Sequence, residues 1–242
     1  MFKRFFILFF IISLTSISAN AQLFGGQIKT NQNLASKYPA GSVFCASGPT
    51  PVVEVINPST GKTWMDRNLG ASQVATSSTD AAAYGDLYQW GRRSDGHQCR
   101  NSATTTTLSS VDQAAHGNFI KAPNSPYDWR SPQNTNLWQG VNGVNNPCPI
   151  GFRLPTETEV NSERLSWGSN NSLGAFSSNR KLVVAGDRVD SDGTLLNVGS
   201  LGRYWSGTIN GTNSRYLGFS NTFSGIDNGL RARGHSVRCI KN

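Results

Sequence analysis

Cys148-Pro149-Ile150-Gly151-Phe152-Arg153-Leu154-Pro155-Thr156, continued by Glu157-Thr158-Glu159, is the stretch on which the fold turns. Thr156 stands where a helix N-cap is wanted and Glu159 follows three residues later, the pattern of a capping box. Glu157 and Glu159 place negative charge in the first turn, where the helix dipole favours it. The spacing predicts a helix running to about Ser166. Its two glutamates read as caps and not as a catalytic carboxylate pair.

Beyond that helix the hydrophobic period changes. Leu182-Val183-Val184-Ala185 reads as a strand, Asp190-Ser191-Asp192-Gly193 as a turn, and Leu195 to Val198 as an extended segment. Arg203-Tyr204-Trp205-Ser206, Arg215-Tyr216-Leu217-Gly218-Phe219 and Ser236-Val237-Arg238-Cys239-Ile240 roughly alternate polar and apolar side chains, as half-buried strands do. Upstream, Val52-Val53-Glu54-Val55-Ile56 and Lys62-Thr63-Trp64-Met65-Asp66 flank the turn cluster Asn57-Pro58-Ser59-Thr60-Gly61 and predict a hairpin. Asp80 is placed to cap a short helix through Ala81–Tyr84, with Leu87, Tyr88 and Trp90 continuing its apolar side. Gly91 to Asn146 is rich in Ser, Thr, Asn and Gln, and its weak patterning marks a functional loop region or an insertion.

Residues 1–21 are an address. Lys3 and Arg4 precede the apolar run Phe5–Ile12, and Ala19-Asn20-Ala21 supplies a cleavage site, so a secretory signal peptide cut near Ala21 is expected. Ser13, Thr15, Ser16 and Ser18 interrupt the run, whereas a membrane span needs ~20 apolar residues. The mature protein is therefore expected outside the cell or at its surface, without a transmembrane segment. Residues 22–50 read as a polar leader and irregular lead-in, and 51–242 as one domain.

Hydrophobic residues make up 37% of the 242 and aromatic ones 10%, enough for a core, which excludes disorder, coiled coil and collagen. The net charge of +8 falls to +6 without Lys3 and Arg4. The excess is scattered over Arg92-Arg93, Arg180-Lys181, Arg231 and Arg233 and forms no stripe for nucleic acid.

Cys45, Cys99, Cys148 and Cys239 show no C-x-x-C spacing, and in an exported chain they read as two disulfides. Three pairings are open to four cysteines; Cys148–Cys239 is preferred, with Cys45–Cys99 as the other pair. His97, His116 and His235 fit no ligand spacing, and there is no G-x-S-x-G elbow or P-loop. The Asp190–Gly193 turn lacks the bidentate Glu of a calcium loop. No catalytic residue, metal or cofactor is expected. Trp64, Trp90 and Trp205 read as core. Asp66, Arg67 and Asn68, and likewise Arg153 and Arg238, read as buried, paired hydrogen-bonding groups.

Three motifs carry a resemblance: Thr60-Gly61-Lys62-Thr63-Trp64-Met65-Asp66-Arg67-Asn68-Leu69-Gly70, the Cys148–Thr156 stretch, and Gly234-His235-Ser236-Val237-Arg238-Cys239-Ile240-Lys241. Ala83–Arg92 and Gly202–Ser206 fall between them in order. Over roughly Val52 to Lys241 the chain resembles the Fibrobacter succinogenes major paralogous domain, a family of exported proteins of Bacteroidetes-type bacteria. The resemblance implies an α+β, C-type lectin-like fold related to the formylglycine-generating enzymes: twisted antiparallel sheets with two or more short helices.

Two functions follow from it as expectations. One is a secreted or cell-surface adhesion module, without catalysis, binding an extracellular protein or glycan. Some lectin-like domains are diversified by retroelements that mutate adenines, and Asn codons are their raw material. On that analogy the ligand surface consists of Asn210, Thr212, Asn213, Ser214, Tyr216, Ser220, Asn221, Thr222, Ser224, Asp227 and Asn228. The other is an extracellular enzyme, either a formylglycine-generating-enzyme-like oxidase, which requires a pair of reactive cysteines, or one of another kind.

Overall fold

Gly, Asn and Pro punctuate nearly every apolar run of this chain, so its strands are short and its core is built largely by loops. The structure is a computed structural model that describes residues 33–242. The expected signal peptide and the first part of the leader lie outside the described residues.

Strands β1 (Glu54–Ile56) and β2 (Thr63–Met65) form the hairpin expected from the sequence, with Val55 opposite Trp64. Asp80 caps a single 3₁₀ turn, Ala81–Ala83, by accepting from the Ala82 amide. Strands β3 (Tyr88–Gln89), β4 (Thr104–Thr105), β5 (Phe119–Ile120) and β6 (Phe152–Arg153) lead to helices α1 (Glu157–Leu165) and α2 (Ser172–Ser177). Then come β7 (Asp187–Arg188), β8 (Leu195–Leu196), β9 (Gly202–Asn210), β10 (Asn213–Phe219), β11 (Ser224–Gly229), β12 (Gly234–His235) and β13 (Ile240–Lys241). Three antiparallel sheets result, in the orders β1-β2-β13-β6, β11-β10-β9 and β3-β12-β7-β8, with a parallel pair β4-β5. The class is α+β.

Helix α1 begins as its sequence dictates. The Glu159 amide donates to Thr156 Oγ1 (3.2 Å), and the Thr156 amide donates to Glu159 Oε2 (2.9 Å). At the far end of the chain, β13 lies between β2 and β6, with Ile240 opposite both Trp64 and Arg153. Beside it Cys239 is bonded to Cys148, and Cys45 is bonded to Cys99. The first bridge is buried in a cluster with Met65, Trp90, Trp138 and Trp205; Trp64, Tyr204, Leu217 and Phe219 anchor a second cluster under α1. Buried indoles need an acceptor. Trp90 Nε1 donates to the Ser206 carbonyl (2.9 Å) and Trp205 Nε1 to that of Tyr88 (2.7 Å), so each ring also pins a loop or strand.

Several expectations need correction. Leu87, Tyr88 and Trp90 do not continue a helix. Gly85 turns the chain at φ 67°, where an added Cβ would lie 2.3 Å from the Leu69 carbonyl oxygen, and Tyr88–Gln89 pairs with β12 instead. Leu182–Ala185 is buried but joins no ladder, because its backbone bonds go elsewhere: the Val183 amide to the Tyr204 hydroxyl (2.9 Å), that of Val184 to the Ser78 carbonyl (2.9 Å). Of the expected strand Ser236–Ile240, only Ile240 lies in a strand, β13; Ser236 makes an isolated bridge to Tyr204, and β12 precedes it. Gly91–Asn146 is no decoration, since Phe119, Ile120, Trp129, Leu137 and Trp138 are all buried. The described part of the leader also belongs to the body: Tyr38 is buried and its hydroxyl donates to the Thr50 carbonyl (2.7 Å).

Candidate functional site

Most charged side chains are spent on holding loops together. Arg67 grips Asp66 through Nε and Nη2 (2.8 and 2.9 Å). Asn68 donates to the Tyr84 carbonyl and the Tyr204 hydroxyl, while its Oδ1 accepts from Arg238 (2.8 Å). Arg238, fully enclosed, is pushed down to about 10 by burial. Arg153 holds Glu159 with two 2.8 Å bonds; burial works against that carboxylate's charge, but the bonds from Arg153 and Thr156 bring it down to about 2. His97 is buried, and desolvation with the nearby Arg92 lowers it to about 4 against the pull of Asp95. Burial and the flanking Arg203 and Arg233 hold His235 well below the usual histidine range.

The exposed chemistry collects on the β11-β10-β9 sheet. Trp205 is opposite Tyr216, which is opposite Asp227; Arg203 is opposite Gly218, which is opposite Gly225. Directly opposed residues share a face, so two rows cross it side by side. In the first row Trp205 is a buried anchor, Tyr216 is half-buried and Asp227 is exposed. Trp205 and His235 both meet the Tyr216 ring edge to face, at 6.0 and 4.7 Å between centroids, and fix its pose. In the second row the Arg203 guanidinium stands 5.9 Å from the Tyr216 ring and pairs with Asp187 at 3.0 Å. The same Asp187 oxygen takes Arg233 at 2.6 Å.

Glycine makes the floor. The nearest neighbours of a Cβ on Gly218 would be the rings of Tyr216 (3.1 Å) and Phe223 (3.9 Å), and one on Gly225 would meet nothing within 4 Å. Phe223, 49% exposed, closes the turn end. Gly218 is itself buried and Gly225 half-buried, so the strip beside the Tyr216 ring is narrow, with the exposed Asp227 and the half-buried Arg203 at its margins.

The candidate residues do not form one surface. Asn210, Thr212 and Asn213 lie at the β9–β10 turn, and Asn221 and Thr222 at the other end of β10, whose seven residues span ~20 Å. Asn210 and Asn228 are exposed on the opposite face, where Asn228 Oδ1 accepts from Asn210 and from Arg215, and Arg215 reaches Glu157 on α1 (2.7 Å). Ser214, Ser220 and Ser224 are buried at 0, 8 and 8% exposure and are withdrawn from the surface. Ser214, opposite Gly229, lies on the Tyr216 side of the sheet but is enclosed there, and the turn carrying Ser220 meets α2, whose Ser172 amide donates to the Ser220 carbonyl (2.6 Å). Of the candidates left at the surface, Tyr216 and Asp227 share the face with Arg203. The sequence reading missed Arg203, Gly218, Phe223 and Gly225. Their signal was the alternation Gly225-x-Asp227-x-Gly229, which carries no hydrophobic period.

Among the described residues there is no group of three or more His, Cys, Asp or Glu side chains able to hold a metal ion. No described helix is long and apolar enough to cross a membrane. Comparison with protein-family models, curated proteins and solved structures finds no match for this chain.

Proposed function

We propose that the chain is a secreted or cell-surface binding module of C-type lectin-like type, without catalysis, that holds an extracellular protein or glycan on the exposed face of β9–β11. The observation that carries this reading is the Tyr216–Asp227 row beside the glycine floor. A rigid aromatic ring with adjacent polar groups offers contact area at little cost in side-chain entropy, the economy that paratopes use. The two disulfides suit an oxidising compartment and keep the supporting loops from moving. Asn221 and Thr222, at the rim, and Asp227, on the face, are the positions where a diversified surface tolerates change without touching the core. The resemblance to the Fibrobacter paralogous domain supports the same reading.

The test is a screen of the full chain against glycans and bacterial-surface proteins. A ligand found in this way is expected to bind the double variant Tyr216→Ala/Asp227→Ala at least tenfold more weakly. Binding to Asn210→Ala, on the opposite face, is expected to be unchanged. Equal binding by the double variant, or a loss confined to Asn210→Ala, contradicts the assignment.

A further inference from the structure

Among the described residues, one buried carboxylate, Asp86, has no partner within hydrogen-bond or ion-pair distance. Asp128, Glu163, Asp187 and Asp190 each have an arginine within ion-pair distance. Asp86, only 6% exposed, accepts no hydrogen bond from the described residues, and Arg100 acts on it only through space. Arg100 is not free to turn to it. Its Nε donates to the Gly85 carbonyl (2.7 Å), its Nη2 to that of Ala185 (2.8 Å), and its guanidinium lies 5.4 Å from the Tyr84 ring.

The backbone is shaped around this carboxylate. A Cβ on Gly70 would lie 2.2 Å from Asp86 Cγ and 2.4 Å from both its oxygens. Asp86 and Arg100 line a cavity of about 290 Å³ together with Ser47, Gly70, Gly85 and Asn101. Cys45, bonded to Cys99 next to Arg100, forms part of its wall, so the disulfide fixes both sides of the opening.

We propose that this cavity is a binding site for a small ligand bearing a primary ammonium group, which Asp86 receives. An ammonium brings three donors and the missing countercharge to one carboxylate. A neutral hydroxyl leaves the buried charge uncompensated. A calcium or magnesium ion demands more oxygen ligands than a lone carboxylate beside an arginine supplies. This site lies apart from the β9–β11 face and does not rest on the function proposed for it.

Burial raises the Asp86 carboxyl to about 7, against a smaller opposing effect of Arg100; Tyr88 is a further titratable group that feels its charge. A bound ammonium favours the ionised form, so ligand and proton compete. The experiment follows the Asp86 carboxyl by NMR on the folded full chain, titrating pH with and without ethylammonium chloride. The expected result is a midpoint lowered by at least one pH unit, equivalent to a tenfold coupling, that saturates with ethylammonium. Sodium chloride and tetramethylammonium chloride at equal ionic strength should not reproduce it. Fast-exchange shifts of Gly70 and Gly85 amides with ethylammonium should vanish in Asp86→Asn, which keeps the side chain's shape. No shift, an equal shift with either control salt, or undiminished shifts in Asp86→Asn overturns the proposal.

Discussion

Replacing Cys148 and Cys239 together by alanine is expected to lower the unfolding free energy by about 2–5 kcal/mol. The bridge closes a loop across 91 sequence positions, and both its cysteines are at most 1% exposed. Loop closure alone does not set it apart, because the Cys45–Cys99 bridge spans 54 positions and the entropic term grows only with the logarithm of length. Packing does. Cys148 and Cys239 sit among Met65, Trp90 and Trp205, and β13 depends on them for its place between β2 and β6. Equilibrium denaturation of both double variants under non-reducing conditions checks the argument. The loss at Cys148/Cys239 should exceed that at Cys45/Cys99, and the reverse order contradicts it.

The second large effect has the opposite sign. Asp86→Asn is expected to be more stable than the unsubstituted chain at pH 8 and less stable, by about 1–3 kcal/mol, near pH 3, where only the cost of its unpartnered amide remains. Burial pushes the folded-state carboxyl from 3.8 to about 7. Below 3.8 both folded and unfolded chains carry the proton, and the charge costs nothing. Between these values the unfolded chain has lost a proton that the folded one retains, so stability falls as pH rises. Above 7 the penalty is complete, ~4 kcal/mol. A buried amide without partners returns about 1–3 kcal/mol of that, which leaves a net gain of about 1–3 kcal/mol at pH 8. Urea unfolding of the two proteins from pH 3 to 8 isolates this slope, because the other titrating groups cancel in the difference. A difference independent of pH contradicts the burial of an unpaired carboxylate. A chain that keeps such a charge forgoes stability, as functional positions do.

How far the sequence revealed the fold depends on where the local signal was strong. The Thr156–Glu159 capping box and the hairpin around Asn57–Gly61 carry their own hydrogen-bonding instructions, and both form as read. Leu182–Ala185 has the composition of a strand, yet its amides bond to the Tyr204 hydroxyl and the Ser78 carbonyl, partners far along the chain that no local pattern encodes. The Gly91–Asn146 stretch hid Trp129 and Trp138 among polar residues, because in a loop-built core a single indole does what a whole apolar face does elsewhere. At the candidate site Tyr216 and Asp227 were legible as exposed polar positions on a strand. Ser214, Ser220 and Ser224 were not legible as buried, since serine has no preference strong enough to report its side of a sheet. The importance of Gly218 and Gly225 appears only when register sets them opposite each other.

Two disulfides close the framework that carries the β9–β11 surface and leave no thiol for redox turnover. Peptide mapping of the unreduced protein, after alkylation in denaturant, tests this closure most directly. Two cross-linked peptide pairs are expected, Cys148 with Cys239 and Cys45 with Cys99, and no alkylated cysteine. Recovery of Cys148 and Cys239 as alkylated, unlinked peptides contradicts it and returns the oxidase reading to first place.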